Sequence, residues 1–140
     1  MAAPVILHAT TVAFEGRAIL LTGASGTGKS SLALQLMGIG AELVADDQTV
    51  LALQGSQIIV SCPPAIAGMI EARGVGLLNA PQRPHATLSL VVDLDRREGD
   101  RLPVHRDITI LGQRLALALG SKSAHFPSSL KHYALFGRRG

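Results

Sequence analysis

The sequence is poor in the residues that cross-link small secreted proteins and in those that stack on nucleic-acid bases. Its 140 residues include one cysteine, one tyrosine, three phenylalanines and no tryptophan. The single cysteine, Cys62, excludes an internal disulfide and favours a reducing compartment, the cytoplasm. The low aromatic content predicts a core of Ala, Leu, Val and Ile, as in a twisted sheet covered by helices. We expect no nucleic-acid binding, because no Lys/Arg run is interleaved with aromatic residues.

Long apolar runs are missing as well. The apolar segments Ala18–Thr22 and Leu88–Val92 are far shorter than the ~20 residues of a membrane-spanning helix. The N-terminus lacks the charged and apolar regions of a secretory signal, so we expect neither a leader nor a membrane anchor. The formal net charge is +3, and no acidic residue follows Asp107. This basic C-terminal third is either a solvated surface or a surface for an acidic partner.

One glycine-rich segment carries a chemical signature, the pattern G-x-x-x-x-G-K-[ST]. Its residues are Gly23, Ala24, Ser25, Gly26, Thr27, Gly28, Lys29 and Ser30. An apolar strand, Ala18–Thr22, precedes it and an amphipathic helix, Ser30–Met37, follows it, which is the context of a P-loop. In such a loop, backbone N–H groups cradle phosphates, the lysine reaches the β and γ phosphates, and the last hydroxyl holds Mg²⁺. The segment therefore predicts binding of a nucleoside triphosphate with Mg²⁺.

A P-loop site needs a further carboxylate near the metal, and two positions compete for this role. Asp46 and Asp47 follow the predicted strand Glu42–Ala45, and Asp93 follows Leu88–Val92. Two adjacent carboxylates repel each other unless a cation or a proton separates them. This repulsion favours a functional role for the Asp pair, whereas a lone acid after a strand is often a solvated turn residue.

The rest of the chain predicts an α/β fold with more strand than a regular βαβ alternation, in a single domain over residues 1–140. We expect strands at Val5–Ala9 and Thr11–Phe14 and a hairpin formed by Val50–Leu53 with Gln57–Val60. Residues 95–107 are charged and predicted to be exposed. The segment from Ser121 onwards gives no clear prediction.

Taken together, four features resemble the catalytic domain of bacterial HPr kinase/phosphorylase. They are His8, the P-loop Gly23–Ser30, the pair Asp46-Asp47, and the Glu-x-Arg-Gly-x-Gly stretch within Ile70–Asn79. The resemblance implies a P-loop kinase-like fold, with a strand-rich sheet and flanking helices. It also implies ATP and Mg²⁺ as cofactors, and a serine of HPr, the phosphocarrier of the sugar phosphotransferase system, as the acceptor. The catalytic domains of this family assemble into hexamers, so a homo-oligomer is expected.

The resemblance also implies roles for individual residues. His8 and Lys29 correspond to catalytic residues, and Asp47 corresponds to the general base toward the HPr serine. Ser30 and Glu71 correspond to Mg²⁺ ligands. Asp46, Arg73, Gly74 and Gly76 complete the signature motifs. A catalytic arginine is expected downstream, with Arg101 as the first candidate and Arg97 or Arg106 as alternatives.

Departures from the family pattern leave other readings open. An N-terminal domain of typical members is not part of this sequence, which favours the short, single-domain type found in some proteobacteria. The segment Leu102–Asp107 does not reproduce the family's Pro-Val-Arg-Pro-Gly-Arg-Asn loop, associated with the reverse, phosphorylase reaction. Two other functions compete with an HPr kinase: a small-molecule P-loop kinase, and a nucleotide-sensing module without turnover. The scarcity of aromatics weakens the first, and the intact Lys29, Ser30 and Asp47 weaken the second.

Overall fold

The computed structural model describes residues 3–140, which form eleven strands, two α-helices and one short 3-10 helix. The strands are β1 (Val5–Leu7), β2 (Ala9–Phe14), β3 (Arg17–Thr22), β4 (Glu42–Ala45), β5 (Thr49–Gln54), β6 (Gln57–Ser61), β7 (Met69–Ala72), β8 (Gly76–Asn79), β9 (Ala86–Arg97), β10 (Arg106–Ile110) and β11 (Gln113–Gly120). The helices are α1 (Lys29–Gly38), the 3-10 helix Pro64–Ile66 and α2 (Phe126–Phe136). This content confirms the expected strand-rich α/β fold.

Nine strands form one sheet in which the P-loop strand β3 has a central place. The strand order is β1-β5-β6-β9-β3-β2-β4. In addition, β11 pairs with the long strand β9, and β10 pairs with β11. The strands β3, β9 and β11 run parallel to one another, so their carboxyl ends lie at the same edge of the sheet. Ligands of open α/β sheets bind at such an edge, which places the P-loop where the topology favours binding.

The core lies on both faces of this sheet, as side-chain alternation along β3 shows. Ile19 and Leu21 pack on the face that α1 and α2 cover, together with Leu36 of α1 and Leu130 of α2. Ala18 and Leu20 point to the other face, where the curled sheet brings residues of β5 and β6 over them. A strand buried on both faces is a continuous apolar run, so the prediction of a buried strand before the P-loop is confirmed.

Several elements differ from the sequence prediction. The first two strands separate at His8 and not at Thr10, because β1 pairs with β5 while β2 pairs with β3 and β4. Strand β9 extends beyond Leu88–Val92 in both directions and includes residues 95–97, which are exposed as predicted. Helix α2 was not predicted, although the spacing of Leu130, Tyr133 and Ala134 is helical. No helix in residues 3–140 combines the length and apolar character needed to cross a bilayer.

Candidate active site

The P-loop lies between the end of β3 and the start of α1, as predicted. Gly23 has a φ of +145°, and a Cβ atom at this position would lie 2.6 Å from Oγ1 of Thr27, so a larger residue would displace the turn. Gly28, in the left-handed region, precedes the first residue of α1. The N–H groups at the start of α1 and the positive end of its dipole thus face the concave side of the loop, which is a site for phosphate.

Lys29 is buried, with 6% of its surface exposed, inside this loop. Its Nζ donates hydrogen bonds to the carbonyl oxygens of Gly23, at 2.7 Å, and Ala24, at 3.1 Å. An ammonium group has three N–H donors, so one remains for a phosphate oxygen. The side chain is therefore held in place by the loop before any anion binds.

Asp46 connects three segments of the site. Its Oδ1 accepts hydrogen bonds from the hydroxyl of Ser30, at 2.7 Å, and from that of Thr10, at 3.0 Å. Its Oδ2 accepts one from the backbone N–H of Glu71, at 3.0 Å. The carboxylate thereby fixes α1, β2 and β7 relative to one another, which neither the P-loop nor the signature stretch could do alone. Thr10 was not singled out by sequence reasoning, since a lone threonine on a strand carries no motif.

Asp47 lies beside Asp46 but faces solvent. Its φ of +71° is in the left-handed region, which Asp tolerates better than most residues. The backbone N–H of Asp47 donates to Oγ1 of Thr10 at 3.1 Å, which holds this conformation. Nδ1 of His8 lies 3.2 Å from Oδ1 of Asp47, and the two side chains are 49% and 63% exposed. The structure thus brings His8 to the predicted base, at the mouth of the site.

The signature stretch, for which the sequence predicted no regular secondary structure, forms a hairpin of β7 and β8. The N–H of Val75 donates to the carbonyl of Ala72 at 3.0 Å, and Gly74 and Gly76 take positive φ angles in the turn. The hairpin places Glu71 and Arg73 opposite the P-loop. Together these elements enclose a cavity of about 260 Å³, here called the phosphate cavity. It is lined by Ser25, Gly26, Gly28, Lys29, Ser30, Ser31, Asp47, Glu71 and Arg73.

The oxygen atoms around this cavity fit Mg²⁺. Mg²⁺ is held in proteins by one or two carboxylates together with substrate phosphates and waters, and does not need a dedicated cage. The Ser30 hydroxyl already bonds to the Asp46 carboxylate, and Glu71 lines the same cavity. Within residues 3–140 no cluster of three or more His, Cys, Asp or Glu side chains could hold a metal by itself. Ser30 and Glu71 could therefore supply ligands to a metal that takes its other ligands from phosphate and water.

Cys62 follows β6 on the side of Asp46. Burial, and after it the negative charge of Asp46, raises the pKa of the Cys62 thiol. The sulfur donates to the carbonyl of Pro63 at 3.3 Å. A thiol with a raised pKa is mostly protonated near neutral pH, so it is a poor nucleophile.

Other predicted residues lie elsewhere. Asp93, the competing carboxylate, accepts hydrogen bonds from Nε of Arg96 and the N–H of Asp95, both at 2.9 Å. The acid that reaches the P-loop from this strand is Asp95, whose Oδ1 accepts the N–H of Ala24 at 2.9 Å. The sequence feature that could have identified Asp95 is its position near the end of the same strand, two residues after Asp93.

Arg101 is not brought to the phosphate cavity. It lines a separate cavity of about 330 Å³, here called the distal cavity, between the loop 98–105, β11 and α2. Arg106, one of the two alternatives, lines the same distal cavity and pairs with Glu98 through two contacts of 3.1 Å. Arg97 is exposed at the end of β9. Of the arginines discussed, only Arg73 lines the phosphate cavity.

Comparisons with known proteins cover the part of the chain that holds this site. A sequence model of the family described as HPr Serine kinase C-terminal domain matches residues 1–111, which include every residue that lines the phosphate cavity. The HPr kinase/phosphorylase of Burkholderia lata is 37% identical over 118 residues, covering 76% of this chain and 37% of that protein. The HPr kinase/phosphorylase of Burkholderia cenocepacia has the same identity and coverage. This chain thus spans little more than a third of the length of these curated relatives.

The fold is likewise that of a solved structure. The Hpr(Ser) kinase/phosphatase from Coxiella burnetii matches with a TM-score of 0.75 at 24% identity, over 91% of this chain and 86% of that chain. The expected kinase-like fold with a strand-rich sheet and flanking helices is confirmed. Because the family model covers more than half of the chain and the relatives are 37% identical, the chain belongs to the HPr serine kinase C-terminal domain family.

Proposed function

We propose that this chain is an ATP-dependent protein kinase that phosphorylates a serine of HPr or of an HPr-like phosphocarrier. The observation that carries the proposal is the composition of the phosphate cavity. The P-loop with Lys29 forms one wall, and the Asp47 carboxylate lies at the opposite, solvent-exposed mouth. A phosphate donor bound in the loop would then have its terminal phosphate directed toward an acid that a protein side chain can reach. The names of the curated relatives supply HPr as the acceptor.

The residues of the cavity have distinct tasks in such a transfer. The N–H groups of the loop and the remaining donor of Lys29 bind phosphate oxygens and stabilise the charge that develops on them. Asp47 orients the serine hydroxyl and accepts its proton late, because bond making to the nucleophile is weak in a loose transition state. His8 holds the Asp47 carboxylate at 3.2 Å, and Arg73 adds positive charge from the opposite wall.

Ser30 and Glu71 are the residues that would hold Mg²⁺ with the nucleotide, and Asp46 keeps both of them in place. When bound, the ion neutralises charge on the phosphates. The task of the chain itself is to keep these oxygens in place, and Asp46 does so by bonding to both Ser30 and the backbone of Glu71. Removing the metal with a chelator should therefore abolish transfer while leaving the fold intact, because Asp46 keeps its protein partners.

The solvent-exposed mouth suits a protein acceptor. Val75 and Leu77, in the signature hairpin, are 77% and 67% exposed and lie near Arg73. Exposed apolar side chains next to an active site are typical of a surface that another protein covers. The proposal includes assembly of the chain into a homo-oligomer and a cytoplasmic location, which the family resemblance and the lone Cys62 suggest.

The test is transfer of label from γ-labelled ATP with Mg²⁺ to purified HPr. Label on HPr that is absent from an HPr with its acceptor serine changed to alanine, and absent with the Lys29→Ala enzyme, would support the proposal. Excess inorganic phosphate added after labelling would then show whether the reverse reaction occurs. ATP binding without label on HPr would contradict the proposal and favour a small-molecule kinase or a nucleotide sensor. Incubation with small hydroxyl acceptors, such as nucleoside monophosphates, would separate these two.

A further inference from the structure

A second cavity adjoins the phosphate cavity on the other side of the P-loop. It has a volume of about 410 Å³ and shares Gly28 and Ser31 with the phosphate cavity. One wall is the start of α1, up to Gln35, and the other is the connection between β11 and α2, residues 121–125, continued by the first residues of α2. The motifs of the site leave this cavity without a role, although its volume is typical of small-molecule sites.

The sheet topology places this cavity where a ligand of the P-loop would extend. The parallel strands β3 and β11 flank β9, and the chain leaves β3 into the P-loop and leaves β11 into Ser121. Leu94 of β9 closes the space between them. A Cβ atom added to Gly23 or to Gly120 would lie 3.3 Å from Leu94, so this side chain is packed between the two strand ends. Leu94 therefore forms a packed apolar floor of the second cavity, between the two strand ends.

We propose that this second cavity binds the nucleoside part of the nucleotide whose phosphates occupy the P-loop. The inference rests on the proposed nucleotide binding and gives the ligand a direction. The mouth at Asp47 and Arg73 is charged and must stay open to the acceptor. The opposite end, beyond Gly28 and Ser31, is lined by Leu32, Leu94 and Phe126, which suit the apolar face of a purine. The terminal phosphate then points to Asp47, as transfer requires.

The lining also predicts how the base is read. Among the described residues that line this cavity there is no Asp or Glu; the polar side chains are hydroxyls, the Gln35 amide and Lys122. Guanine presents adjacent N–H donors, for which a carboxylate is the best hydrogen-bond acceptor. No carboxylate of residues 3–140 lines this cavity. Hydroxyls donate or accept equally well, so they discriminate weakly. We therefore expect ATP and GTP to bind within about tenfold of each other.

The first test places a large side chain at the second cavity. Ala124 is an exposed residue of the lining, and Ala124→Trp places an indole at its edge. The variant should weaken ATP binding about tenfold, the cost of a modest steric clash. It should leave binding of tripolyphosphate, which occupies only the phosphate cavity, unchanged. Ala65→Trp, on the exposed 3-10 helix, is the matched control and should change neither affinity. Equal ATP affinity in Ala124→Trp and the wild type would overturn the proposal.

A second measurement does not depend on where that indole points. Photolabelling with 8-azido-ATP, followed by tryptic digestion and mass spectrometry, locates the base directly. We expect label within residues 31–35 or 121–127 and its loss in the presence of excess ATP. ATP-sensitive label at 47–49 or 71–77 would place the base at the acceptor mouth and contradict the inference. If the wild type bound neither tripolyphosphate nor ATP, the proposed nucleotide function itself would fail, which is a separate outcome.

Discussion

The phosphate cavity and the distal cavity both combine arginines with carboxylates, but they are built differently. In the phosphate cavity, Asp46 accepts hydrogen bonds from three segments that are far apart in the chain. In the distal cavity, Glu98 pairs with Arg106 only eight residues away, and Arg138 donates to the carbonyl oxygens of Pro103 and Val104. The first arrangement fixes positions across the fold, and the second fastens a loop and the C-terminal segment to the sheet.

This difference explains why an arginine has different expected effects on phosphate transfer in the two cavities. Arg73 lies on the hairpin of β7 and β8. Asp46 accepts hydrogen bonds from the backbone N–H of Glu71 in this hairpin and from Ser30 of the P-loop, so the position of Arg73 depends on the P-loop. Arg101 lies in the loop 98–105, outside the phosphate cavity. Neither arginine forms an ion pair with a described residue, so the two differ in where the backbone places them. Charge alone does not make a site. A charged group becomes useful for catalysis when other groups determine where it points.

The largest effect should come from Asp47→Asn. The amide keeps the size of the side chain and the hydrogen bond from the backbone to Thr10, but it cannot accept a proton. We expect nucleotide affinity to be retained and the transfer rate to fall about 10³-fold. Binding of a fluorescent ATP analogue and single-turnover transfer to HPr measure the two separately. A transfer rate close to that of the wild type would show that Asp47 is not the base.

The comparison between the two cavities is tested by exchanging their arginines for alanine. Arg73→Ala should lower transfer about 10²-fold, as expected for the loss of one charge that stabilises transferring oxygens. Arg101→Ala should leave transfer unchanged in the isolated subunit, since the distal cavity is a separate one. Both variants need assay at the same oligomeric state, determined by light scattering.

A large loss in Arg101→Ala would change the comparison. If that loss occurred only when the chain is oligomeric, Arg101 would reach the phosphate cavity of a neighbouring copy. The resemblance to HPr kinases could then hold for Arg101 across subunits. A loss in the monomer as well would mean that the loop 98–105 moves to the P-loop during catalysis.

The comparison also shows what the sequence could predict. The P-loop follows a fixed spacing and the Asp pair follows a predicted strand, and the structure keeps the elements around them within one residue of the predicted bounds. Thr10 and Asp95 were missed because their tasks, holding Asp47 and Ala24, depend on which strands become neighbours. Arg101 lies in a loop without a defined period, so its location could not be predicted from spacing, and its catalytic role stays a prediction.

A smaller effect on the transfer rate is expected from Asp46→Asn. The alkylation rate of Cys62 gives a second readout of this substitution. An amide can accept from Ser30 and Thr10, but its NH₂ group would face the N–H of Glu71, so the hairpin should loosen and transfer should fall about tenfold. Loss of the negative charge should also lower the pKa of Cys62 and speed its alkylation at pH 8, because more thiolate is present. Asp47→Asn is the matched control and should leave the alkylation rate unchanged. Rates that still differ above the thiol pKa would indicate altered access and not altered charge.

The smallest effect is expected in the distal cavity, from Glu98→Gln. Hydrogen bonds from Arg106 lower the pKa of Glu98 below its usual range, so folding favours the ionised carboxylate. A carboxylate with a depressed pKa contributes stability above its unfolded value, near ~4.3, and loses that contribution as the pH falls through the folded value. The variant should therefore unfold at slightly lower urea concentration than the wild type at pH 7, and the gap should close as the pH falls through the lowered pKa of Glu98. Transfer activity at pH 7 should not change, because the ion pair fastens a loop and holds no group of the phosphate cavity. A gap that persisted at low pH would mean that Glu98 stabilises the loop by packing and not by its charge.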